Sequence, residues 1–166
     1  GGSEIRQPAG GNGAAAAVQA VSITQETVQE TVDALWSPDG ERPRTELMRR
    51  RGWTDDTLRH VAVGWDGERY TIPVYDREHI CRNLRRYAPD DEPKFLAYAR
   101  GYGQMRLFNL AALESDTVLL CEGETDTITA NQYGFAAITA TGGAGSWKPE
   151  FSELFAGKDV YIIYDN

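Results

Sequence analysis

Three short apolar runs near the end of the chain each lead into groups that can bind charge. TVLLC (117–121) ends in Glu122-Gly123, FAAIT (135–139) leads into Thr141-Gly142-Gly143, and DVYIIYD (159–165) closes on Asp165. Carboxylates at neighbouring strand ends supply the oxygen ligands that Mg²⁺ or Mn²⁺ takes, with coordination positions left for water and substrate phosphates. A glycine turn lets backbone N–H groups approach a phosphate. Read this way, Glu122 and Asp165 are candidate metal ligands, and Gly142 and Gly143 form a candidate phosphate turn.

Positioning these groups requires a layered sheet. The runs are nearly continuous in apolar residues, as strands covered on both faces are. A helix fits residues 124–133, closed by Gly134, and another fits 149–155, closed by Gly157. Strands alternating with helices imply right-handed crossovers and a parallel sheet, whose ligands bind outside the carboxyl ends of the strands. VYIIY, apolar on both faces, is expected in the sheet's interior.

Upstream the charge changes sign. Residues 77–106 hold 7 basic and 4 acidic side chains, whereas residues 107–166 hold 2 and 9. Arginines for phosphate followed by carboxylates for metal suit a polymerase-like site, although the chain as a whole is at −8. RYTIPVYD (69–76) and HICRNLRRY (79–87) read as a hairpin from their β-branched and aromatic content, with Arg77-Glu78 as the turn. Before it, capping-box spacing at Ser22 and Gln25 predicts a helix ended by Ser37-Pro38-Asp39-Gly40. Thr45 is expected to cap a short helix stopping at Gly52, and Thr54 another running to about His60. Residues 1–21, rich in Gly and Ala, are expected to be a flexible linker.

These residues together resemble the catalytic core of DnaG-like and phage-type DNA primases. VLLCEGETDTITANQYGF, AAITATGGAG and DVYIIYDN are similar to the Toprim motifs, with Glu122-Gly123, an acid at Asp126 on the helix, and Asp165. The family's last motif is Asp-x-Asp, so its third acid is expected directly after Asn166. RYTIPVYD, the arginine-bearing strand, PKFL (93–96) and RLFNLAAL (106–113) are similar in order to the preceding half of the primase RNA-polymerase domain. The resemblance implies an α/β fold: a Toprim-type parallel sheet with helices on both faces over 114–166, preceded by a small α+β primase subdomain over 22–113 with a basic β-hairpin. It implies Asp126 as a further metal ligand, and Arg85, Arg86 and Lys94, with Arg82 as a second choice, as the ridge for DNA and nucleotide phosphates.

The implied activity is metal-dependent synthesis of RNA primers on single-stranded DNA from nucleoside triphosphates, alongside a replicative helicase, with Glu122 serving as metal ligand or as general base. The alternatives are a non-catalytic module that binds single-stranded DNA and a Toprim nuclease or topoisomerase. Cys81 and Cys121 lie in apolar runs without Cys-x-x-Cys or nearby histidines, so no zinc site is expected and a reducing cytoplasm suits them. No apolar stretch approaches the roughly 20 residues of a membrane span.

Overall fold

The computed structural model describes residues 23–142, 145 and 147–164. The expected linker, Ser22, Gly143, Asp165 and Asn166 lie outside the described residues.

Helix α1 (Gln25–Trp36) is capped by Thr24 rather than Ser22. The Thr24 hydroxyl accepts from the Thr27 N–H at 3.1 Å while the Thr27 hydroxyl accepts from the Thr24 N–H at 3.4 Å, so threonine takes the place of the acid in a capping box. Helix α2 (Glu41–Arg51) starts four residues before the expected cap at Thr45. Pro43 sits in its first turn, where a missing N–H costs no hydrogen bond. The chain can reverse so tightly because residue 40 is glycine: a Cβ there would lie 2.2 Å from the Ala34 carbonyl oxygen. Gly52 ends α2 in the left-handed conformation and Thr54 caps α3 (Asp55–Val61), both as expected.

Strands β1 (Gly64–Trp65), β2 (Tyr70–Tyr75), β3 (Cys81–Tyr87) and β4 (Phe95–Leu96) form an antiparallel sheet in chain order. The β2–β3 turn needs no glycine because Asp76 builds it. Its carboxylate accepts from the backbone N–H groups of Glu78 at 3.0 Å and Ile80 at 2.9 Å, the Asx arrangement that replaces a backbone turn.

The second sheet contains β5 (Leu107–Phe108), β6 (Thr117–Cys121), β7 (Ala137–Ala140) and β8 (Asp159–Ile163), in the order β5-β7-β6-β8. A 3₁₀ turn (Leu110–Glu114), α4 (Glu124–Gln132) and α5 (Pro149–Glu153) connect its strands. β6, β7 and β8 are parallel, as expected, but β5 pairs antiparallel with β7, so the sheet is mixed. Among the described residues β8 is an edge strand, with Tyr161, Ile162 and Ile163 all more than half exposed.

One core joins the two sheets. Leu58, Val63, Ile72 and Val74 from the first half pack in the same buried cluster as Phe108 and Ile128 from the second. Trp53 donates its indole N–H to Thr129 on α4 at 2.9 Å, and Gln132 accepts from the Thr57 hydroxyl at 2.6 Å. Because Ile128 is 1% exposed and serves this shared core, Ile128→Ala is expected to cost about 2–5 kcal/mol. Urea unfolding should show one transition for both halves, shifted to lower denaturant in the variant.

Candidate active site at the strand ends

The carboxyl ends of β6, β7 and β8 coincide in space. Cys121 is level with Ile163 on β8, and the Thr139 hydroxyl on β7 donates to the Cys121 carbonyl at 2.8 Å. Glu122 therefore emerges beside Tyr164. Burial, and then the nearby Glu122 and Cys121, raise the Tyr164 phenol above its ordinary range. Gly123 is the extended residue that turns the chain into α4, and Asp126 folds back over it, with Oδ2 3.5 Å from the position a Gly123 Cβ would take. Burial first, and Asp126 with it, raises the Cys121 thiol against the opposing hydrogen bond of Thr127. Glu122, half-buried, and Asp126, exposed, thus flank one glycine at this corner.

A third acid here was not singled out from the sequence. Glu124, the first residue of α4, is only 2% exposed, and its Oε1 accepts from Arg85 Nε at 2.7 Å. This ion pair ties β3 to the acidic corner, with both side chains largely out of water. The Arg85 guanidinium lies 5.1 Å from the Phe95 ring centroid, Phe95 stacks on Tyr87 at 4.7 Å, and Arg51 lies 5.2 Å from the Tyr87 ring. A charged residue opening a helix has the same sequence signature in solvent as in an ion pair, which is why spacing did not reveal Glu124.

The other basic candidates do not gather at that point. Arg82 is exposed and paired with Asp76; Arg86 pairs with Asp66, and with Glu68 at 3.0 Å. Lys94 is exposed just before β4. For Asp66, burial acts to raise the carboxyl, but hydrogen bonds from Arg86 and from the Arg69 and Glu68 N–H groups outweigh it and hold the group below the usual range. Asp76 is lowered in the same way: burial opposes, while Arg82 and the Ile80 and Glu78 N–H groups prevail. The basic strand thus carries its own counter-charges, which solvent or a polyanion can exchange.

Gly142 takes a φ of 108°, open to glycine and strained for other residues, while its predicted companion Gly143 lies outside the described residues. The same holds for Asp165. Among the described residues, no group of three or more His, Cys, Asp or Glu side chains converges as a metal site. The Glu122 and Asp126 carboxylates are hard oxygen donors of the kind Mg²⁺ or Mn²⁺ takes. A cleft of about 750 Å³ opens elsewhere, lined by His60, Tyr75, His79, Phe108 and Asn131 among others; none of the described site candidates lines it.

Two sheets sharing a core, with an arginine-bearing strand docked at the acidic strand ends, match solved primase cores. The E. coli primase catalytic core superposes with a TM-score of 0.68 at 17% identity, over 82% of this chain and 59% of that one. A DnaG primase catalytic domain bound to single-stranded DNA matches with a TM-score of 0.67 at 17% identity, over 82% and 60%. The RNA polymerase domain of Mycobacterium tuberculosis DnaG, in complex with double-stranded DNA, matches at 0.65 and 14%, over 84% and 61%. The chain has the DnaG primase catalytic-core fold. It spans about three fifths of the length of these primase chains. The gene 57 protein of Mycobacterium phage D29 is 38% identical over 79 residues, which is 46% of this chain and half of that protein. No family model matches the sequence.

Two outcomes follow from the charge pairs. Removing one partner of a buried pair strands the other charge, so Glu124→Ala in this primase-type core is expected to cost about 3–5 kcal/mol. Arg85→Met with Glu124→Leu should recover most of that in denaturant unfolding. The depressed carboxyls Asp66 and Asp76 contribute stability that is complete above the ordinary Asp value of about 4 and lost as pH falls through their lower folded values. Melting temperature should therefore drop as pH falls from about 5 to about 2, and Asp66→Asn should flatten the drop.

Proposed function

We propose that this chain is the catalytic-core part of a DNA primase that builds RNA primers on single-stranded DNA from nucleoside triphosphates. The observation that carries the reading is the Arg85–Glu124 pair, which fixes a basic strand beside Glu122 and Asp126 at the strand ends of a primase-type fold. The neighbours described as bound to single- and double-stranded DNA support a nucleic-acid template for this chain as well.

In this reading Glu122 and Asp126, with Asp165, hold Mg²⁺ or Mn²⁺, which when bound neutralises charge on the transferred nucleotidyl group. Arg82, Arg86 and Lys94 bind phosphates away from the acidic corner, the arginines through their two-pronged guanidinium geometry. Binding a strand exchanges Asp66, Asp76 and Glu68 for phosphate oxygens, so affinity falls steeply with salt. Arg85, held by Glu124, acts by positioning β3. A replicative helicase is the expected working partner. No helix among the described residues is long and apolar enough to cross a membrane, and a cytoplasmic setting, within a bacterial or phage-infected cell, suits replication.

The other reading is a non-catalytic module that binds single-stranded DNA. Template-dependent synthesis of di- and trinucleotides with Mg²⁺ or Mn²⁺ separates the two. Primase function predicts product from the parent protein and at least a hundredfold less from Glu122→Gln, on the order of the loss of one strongly charge-stabilising group. Single-stranded DNA binding without any product would replace the enzyme reading with the binding module.

A further inference from the structure

Arg106 lies directly before β5 and opposite the end of β7. Its N–H donates to the Thr141 hydroxyl at 3.0 Å, and its carbonyl accepts from the Thr141 N–H at 2.8 Å. Because β5 runs antiparallel to β7, this puts the start of β5 at the same edge as the ends of β6 and β8. Along that edge the order is Arg106, then Thr141-Gly142, then Glu122, then Tyr164.

The Arg106 side chain is provided for in an unusual way. Nη2 donates to Gln104 at 2.8 Å, a neutral acceptor, and among the described residues no carboxylate pairs with it. The arginines of β3 all have acidic partners. The Arg106 Nε is buried and has no hydrogen-bond acceptor. A buried guanidinium N–H without an acceptor is costly, and a bound water or ion is among the ways in which native proteins satisfy one. The adjoining Gly142, exposed and at positive φ, leaves backbone accessible beside it.

We infer that Arg106 and the Thr141-Gly142 turn bind phosphate oxygens at the end of the site opposite the carboxylates. The inference deepens the primase reading and rests on it for the substrate class. An anion at β7 lies one strand from Glu122, so a triphosphate chain bound there can reach the acidic corner. The same chemistry serves either the phosphates of a nucleoside triphosphate or those of a nucleic-acid backbone.

The experiment measures binding of inorganic tripolyphosphate and of a single-stranded DNA oligomer in separate titrations, without divalent metal, to the parent protein and to Arg106→Ala. Loss of a charge-assisted contact should weaken binding about tenfold or more. A loss confined to tripolyphosphate identifies the nucleotide as the source, and a loss confined to DNA identifies the strand. Arg49→Ala, which removes an exposed helical charge paired with Glu46, should leave both titrations near the parent. Arg106→Gln keeps the stem and a donor without the charge, and should reproduce the loss if the alanine variant folds poorly. Unchanged binding of both probes, or no binding of either by the parent, overturns the site. If primer synthesis fails while phosphate binding still depends on Arg106, the primase reading falls and the anion site stands; if synthesis persists and binding ignores Arg106, the site alone falls.

Discussion

The Arg85–Glu124 ion pair is the contact on which the arrangement of the site depends. Two charges withdrawn from water are tolerated only when each supplies the other's missing solvation, so the pair has one favourable geometry and little freedom around it. That geometry brings β3, the centre of the basic sheet, onto the first residue of α4. Since α4 begins two residues after Glu122, fixing Glu124 fixes the acidic corner relative to the basic strand. The rings of Phe95 and Tyr87 extend the brace as far as Arg51 on α2.

Around this brace the remaining arginines are arranged differently. Arg82 and Arg86 rest on carboxylates of their own sheet, at or near the surface, where ion pairs contribute little and exchange readily. Arg106 rests on none among the described residues, its Nη2 donating to Gln104 instead. The basic segment is therefore divided by its surroundings into a structural cation, exchangeable cations and one held by a neutral acceptor. Within a net charge of −8, several acidic groups sit at the strand ends or balance arginines of the basic sheet.

Much of the fold was legible because its signals are local. Gly52 stops a helix by its own conformational freedom, Thr54 starts one through its hydroxyl, and TVLLC and FAAIT announce strands by their largely apolar content. The start of α2 was misplaced at Thr45 because the decisive contact, Gly40 against the Ala34 carbonyl, belongs to the packing of two helices.

By itself, then, the sequence determined the succession of elements, the acid at the end of β6 and the glycine turn after β7, since these follow from periodicity and from the preferences of single residues. Only the tertiary structure decided which charges meet. Arg85 finds Glu124 across 39 residues and Arg106 finds Thr141 across 35. Such partnerships arise from strand pairing and from the exclusion of water between the sheets, and both depend on the whole chain having folded.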